Sequence, residues 1–182
     1  MNEPAGLKME TAMSRNGLTS RTWQVVMLTV LMLGTSCAPS GPVISVEPSI
    51  SSIRVNNTAL APVKVENIAN LTAFEVHLSF DANVLEVIEL NDGGFIKADF
   101  VIQNIFDNAA GTIDYAVAQI DRPPANGSGT LFEIVFRAKA RGQSPIRFRE
   151  TPAAPAGVLL SDSNGMAIQI SLTNGNVKVS DS

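Results

Sequence analysis

His77 and Cys37 are the only histidine and the only cysteine in the chain, and that narrows the chemistry open to it. Imidazole general-base or nucleophilic catalysis would have to run through His77. A serine-histidine-acid arrangement would also need a Gly-x-Ser-x-Gly elbow, which the chain lacks. One histidine and one distant cysteine cannot close a Cys/His metal site, and no intrachain disulfide can form. Glu75, Asp114 and Glu133 are the residue type a glycosidase uses, but that reaction needs two carboxyl groups facing across a cleft. Here all three fall in strand-like alternation and are expected on a flat sheet. Asp162-Ser163-Asn164-Gly165 has half the spacing of a calcium loop, yet the first ligand position would be Leu160, which has no side-chain oxygen; a hairpin turn is expected instead. No catalytic residue, metal or cofactor is expected, and the chain reads as a non-catalytic protein.

The elements that position these residues are strands. From Val43 onward, short runs alternate apolar and polar residues between turns, and none sustains a helical period. The clearest run places Phe74, Val76, Leu78 and Phe80 on one side and Ala73, Glu75, His77 and Ser79 on the other. Successive side chains of a strand point to opposite faces, so the first set is core and the second faces solvent or a partner. By the same reasoning Ile113, Tyr115 and Val117 face inward, with Asp114, Ala116 and Ala118 outward. Phe132, Ile134 and Phe136 face inward, with Leu131, Glu133, Val135 and Arg137 outward. Further strands are predicted at Val43–Glu47, Ala61–Ile68, Val84–Leu90, Phe100–Phe106, Pro145–Arg149, Val158–Leu160, Ile168–Leu172 and Asn176–Val179. The facing of Phe100–Phe106 is ambiguous from its pattern, and Asp121–Gly129 is read as a loop. The class predicted is an all-β sandwich of about nine strands. Asn56-Asn57-Thr58, Asn70-Leu71-Thr72 and Asn126-Gly127-Ser128 match glycosylation sequons but are read as turns.

The front of the chain has a different character. Val25–Leu33 is an uncharged apolar run preceded by Arg15 and Arg21; it is too short to span a bilayer and reads as the apolar region of a signal peptide. Gly34-Thr35-Ser36-Cys37 follows and resembles a bacterial lipoprotein signal, in which cleavage precedes a lipidated cysteine; Gly34 stands where leucine is usual. The expected organisation is a leader over 1–37, a short Pro/Ser/Gly tether over 38–42 and a folded domain over 43–182. Met13 would give a more ordinary leader than Met1. The expected location is outside the cell, lipid-anchored through Cys37 at the outer face of a bacterial membrane, or else secreted. Removing Lys8, Arg15 and Arg21 with Glu3 and Glu10 takes the net charge from −4 for the whole chain to −5 from Ala38 onward. An acidic surface without a Lys/Arg cluster argues against nucleic acid as a partner.

Leu71–Leu90, in particular the strand Phe74–Phe80 followed by Asp81-Ala82-Asn83-Val84-Leu85-Glu86-Val87, resembles the cohesin domain, the scaffold module that captures dockerin-bearing enzymes. Gly129–Phe136 and the closing Asn174-Gly175-Asn176-Val177-Lys178-Val179 are similar to later family segments, so the resemblance runs from about Val43 to Val179. It implies a nine-stranded jelly-roll sandwich. One flat face, built from the strands matching Ala73–Phe80, Thr112–Gln119 and Thr130–Ala140, would receive a dockerin helix. The partner-binding residues it implies are Ala73, Glu75, His77, Ser79, Asp114, Ala116, Leu131, Glu133, Val135 and Arg137. Glu75 falls on the family's acidic contact position, and Ala73 replaces an asparagine. Calcium belongs to the dockerin partner, not to this chain.

The function this implies is a surface-anchored module that captures dockerin-bearing, polysaccharide-degrading enzymes. Two alternatives share the sandwich class: a carbohydrate-binding module, and a cohesin-like domain used in adhesion or envelope assembly. Polysaccharide is thus a second possible partner. A planar aromatic sugar platform is not expected, because the sole tryptophan, Trp23, is in the leader and Tyr115 sits in an inward pattern.

Overall fold

The structure is a computed structural model that describes residues 41–49 and 51–181; the leader, Cys37 and most of the tether lie outside that range. Eleven strands follow one another: β1 Val43–Val46, β2 Ser51–Arg54, β3 Thr58–Ser79, β4 Leu85–Asp92, β5 Phe100–Asp107, β6 Thr112–Ala118, β7 Ala125–Ala138, β8 Gly142–Phe148, β9 Val158–Asp162, β10 Ser171–Thr173 and β11 Gly175–Ser180. The all-β sandwich expected from the alternation is what forms. β2 is a short strand the alternation did not show, two expected strands are joined in β3, and β7 takes in the second half of the stretch read as a loop.

β3 organises the sandwich. Its first half pairs with β1 and β7, and β7 pairs in turn with β4. Its second half pairs with β6 on one side and β9 on the other, and β6 carries β5 at its outer edge. The sequence suggests two strands here, Ala61–Ile68 and Phe74–Phe80, with Asn70-Leu71-Thr72 read as a turn between them. In the structure one 22-residue strand runs through, bent at Asn67 and Asn70, whose φ are 55° and 64°. Asparagine tolerates the left-handed region better than most residues. The amides displaced from the ladder are caught by β7 side chains: Asn67 N donates to Ser128 Oγ and Asn70 N to Asn126 Oδ1. These bends carry the strand from one layer to the other.

Between the layers lies the core. Phe74, Val76, Leu78, Ile113, Tyr115, Val117, Phe132, Ile134 and Phe136 are all buried, as their alternation requires. Tyr115 on β6 stacks on Phe132 on β7 at 4.5 Å, and Phe74 lies 6.0 Å from Tyr115 and 6.5 Å from Phe132. Aromatic side chains bury large apolar areas, so this stack, with the edge-to-face pair Phe80–Phe136, is a substantial contact within the core.

Leu131 departs from its expected outward facing and is 1% exposed. Val63 pairs with Phe132 and Lys64 with Thr130, so β7 carries one extra residue there. A bulge of this kind breaks the two-residue period, and Leu131 and Phe132 both become buried. The backbone after β4 then runs over this spot, with Gly93 N bonded to Leu131 O and Phe95 N to Thr130 O.

Gly111 closes the β5–β6 hairpin with φ of +70°, and a Cβ there would lie 2.3 Å from the Phe80 carbonyl oxygen. Gly111→Ala is therefore expected to cost at least about 2 kcal/mol, since left-handed strain and a backbone clash act together. Urea unfolding of the variant would show the shift, and an unchanged midpoint would contradict it.

Candidate functional site: the outer face of the β9–β3–β6–β5 sheet

Strand registers place the outward residues of this sheet in rows. Ser161, Ala73, Ala118 and Phe100 form one row across β9, β3, β6 and β5. Leu159, Glu75, Ala116 and Gln103 form the next, and His77, Asp114 and Ile105 the one after. The first two rows enclose a shallow depression of about 220 Å³ with Ala73 and Ala116 at its floor. Leu159, 37% exposed, borders it on β9, and Ile102, 64% exposed, borders it on β5. Phe100 and Ile105 extend the apolar surface along β5.

A charged cluster lies beside this trough. His77 Nε2 is 2.6 Å from Glu75 Oε1 and His77 Nδ1 is 2.5 Å from Asp114 Oδ1. Arg149 Nη2 also donates to Asp114, and the Arg149 amide donates to the His77 carbonyl. His77 points outward but is only 5% exposed, because these groups cover it. With a carboxylate on each ring nitrogen, the imidazole has no free nitrogen to serve as a base or a ligand. The cluster fixes the orientation of both carboxylates.

The expected residues divide between two surfaces. Ala73, Glu75, His77, Ser79, Asp114 and Ala116 come together on this sheet. Glu133, Val135 and Arg137 do not join them. β7 pairs with the first half of β3 and with β4, in the opposite layer, so its outward side chains lie on the other surface of the sandwich. There Arg137 pairs with Glu86. Leu131 belongs to neither surface, being buried by its bulge.

The sequence reading missed Phe100, Ile102, Gln103, Ile105, Leu159 and Arg149. On β5, Val101 pairs with Val117 and Gln103 with Ala116, which leaves Ile102 as an extra residue. That bulge scrambles the alternation of a strand rich in apolar residues, so its facing could not be read. Leu159 could have been found, since it is flanked by the inward Val158 and Leu160.

The start of β5 is held by an ion pair. Asp99 accepts hydrogen bonds from Arg122 Nε and Nη2 and from the Ile120 amide, and these donors hold its carboxyl down at about 2. The group keeps its proton in the unfolded chain up to about 3.9. Its contribution to stability is thus complete above that value and lost as pH falls toward about 2. Asp99→Asn is expected to flatten the melting temperature profile in that acid window and leave its shape at neutral pH alone. A variant profile parallel to wild type throughout would contradict this. Asp162 is also held below the usual carboxylate range, mainly by the Met166 amide and also by that of Asn164. That is the geometry of a hairpin turn.

The face thus combines an apolar trough with a charged cluster at its side. Residues 45–179 match the cohesin domain family, and the chain belongs to that family. Cell surface glycoprotein 1 of Acetivibrio thermocellus is 26% identical over 63% of this chain, which spans only 6% of that protein. Among solved structures, a type II cohesin from the cellulosome of Acetivibrio cellulolyticus superposes with a TM-score of 0.66 at 20% identity, covering 76% of this chain and 95% of that one. The OlpA cohesin of Clostridium thermocellum, solved in a cohesin–dockerin complex, gives 0.65 at 16% identity over 78% and 100%. A non-cellulosomal cohesin from the archaeon Archaeoglobus fulgidus gives 0.61 at 20% identity over 78% and 92%. These structural likenesses show the fold.

Proposed function

We propose that this chain is an exported, surface-anchored cohesin module that captures a dockerin-bearing, polysaccharide-degrading enzyme through the outer face of its β9–β3–β6–β5 sheet. The trough is the observation that carries this reading. From β9 to β5 is three strand spacings, about 14 Å, which leaves room for a helix about 10–12 Å across. Alanines at the floor let such a helix approach closely, and Leu159 and Ile102 supply apolar area on its two flanks. Arg149 already balances Asp114, so Glu75 is the carboxylate of this face that suits a basic residue on the partner. Relatives of the same fold have been solved in complex with dockerins. Aromatic stacking of sugars has little support here, because Tyr115 is buried in the core.

Calorimetric titration of Ala38–Ser182 with dockerin modules encoded in the same genome, with calcium and with chelator, tests the reading. Calcium-dependent binding to at least one is expected. Failure with all of them would sink it, and retention on cellulose or chitin would transfer the function to carbohydrate binding. The anchor is tested by mass spectrometry of the membrane fraction, where a diacylglyceryl adduct on Cys37 is expected. An unmodified thiol there would remove lipid attachment from the account.

A further inference from the structure

We infer that Gln103 is a specificity-determining residue of the docking face, accepting a hydrogen bond from a hydroxyl or amide N–H on the partner helix; the inference rests on the docking reading above. Two independent features of β5 carry it. The first is the bulge: with Ile102 unpaired between the partners of Val117 and Ala116, both Ile102 and Gln103 line the trough. A regular strand would send one of two consecutive residues to the opposite face. Bulges re-aim side chains in this way at functional edges.

The second feature is the amide itself. Gln103 Oε1 is buried and has no hydrogen-bond partner among the described residues, and it meets a partner's donor once the side chain turns toward the trough that the residue lines. A buried acceptor without a donor destabilises the free domain, and a donor brought by a partner removes that deficit on binding. Of the other polar groups around the trough, Glu75 Oε1 is held by His77 and the Ser161 carbonyl accepts the Thr72 hydroxyl, while the Ser161 side chain belongs to the opposite, β9 flank. Ala73 and Ala116 offer no hydrogen-bonding side chain. Gln103 therefore brings the floor an uncommitted neutral acceptor.

Its position suits a helix seated on Ala116. Glu75 and Gln103 flank that residue in one row, two strand spacings or about 10 Å apart in the backbone. The seated helix would meet a carboxylate on its β3 side and an amide on its β5 side. A serine, threonine or asparagine facing β5 satisfies Gln103, whereas an apolar residue there leaves the acceptor buried and unpaired. Sites built to hydrogen-bond a group reject partners that lack it for this reason.

The test uses Gln103→Met, which keeps an unbranched chain of similar length and loses the amide. With a dockerin that binds the wild-type protein, Kd is expected to rise about tenfold, the loss of one net hydrogen bond. The urea midpoint of the free variant is expected to hold or rise. Truncating the facing hydroxyl or amide of the dockerin should add nothing further in the Gln103→Met background, which a double-mutant cycle reads directly. An unchanged Kd with zero coupling, while Ile102→Asp still weakens binding, would overturn this inference alone. If no dockerin binds wild type, the docking reading fails and takes this inference with it.

Discussion

Phe132→Ala is expected to destabilise the domain by about 3–5 kcal/mol, the range for emptying a fully buried aromatic site. Phe132 has no exposed surface, and its ring stacks on Tyr115 from the opposite sheet, with Phe74 close by. Truncation removes the side chain's burial and leaves a cavity between two sheets whose hydrogen-bonded backbones resist collapse. The effect should extend to the docking face. Phe74 precedes Glu75 and Tyr115 follows Asp114, so the stack fixes the strands that aim both carboxylates. Denaturant unfolding at constant m-value reads the loss. A cost under about 1 kcal/mol, the level expected at a surface position, would mean that the layers are not joined there.

Ile102→Asp is expected to weaken partner binding by about 30- to 100-fold while changing the stability of the free domain by no more than about 0.5 kcal/mol. Ile102 is largely exposed at the wall of the trough, so the free protein loses little when it changes. In a complex that site would be desolvated, and a carboxylate placed there would be buried without a cation. Val135→Asp is the matched control. Val135 projects from β7 on the other surface of the sandwich, and its replacement should leave affinity unchanged. Equal losses in both variants would contradict the assignment of the docking face to the β9–β3–β6–β5 sheet.

The contrast between those variants marks where the sequence was legible. Alternation along Phe74–Phe80 and Ile113–Val117 gave the facing of both strands correctly, because each is a regular strand with one side in the core. Alternation carries no information about which layer a strand joins. β7 has the same pattern as β6, and only the length of β3 puts them in different sheets, its first half pairing with one and its second half with the other. Asn70 was read as a turn between two strands and Asn67 as part of the first; both are in fact bends that let one strand change layers. Leu131 and Ile102 were misread or unread for a shared reason: each sits at a bulge, where one added residue ends the two-residue period. The same irregularity that hid Ile102 and Gln103 from the sequence brings them to the trough. Arg149 lay beyond reach for another reason, since its partner Asp114 is remote in the chain and only the fold joins them.

The most direct test of the central claim is amide chemical-shift mapping of the ¹⁵N-labelled domain during titration with a calcium-loaded dockerin from the same genome. Perturbations centred on Ala73, Glu75, Asp114, Ala116, Ile102, Gln103 and Leu159 are the predicted result. Perturbations centred instead on Glu133, Val135 and Arg137, or none at saturating partner, would contradict it.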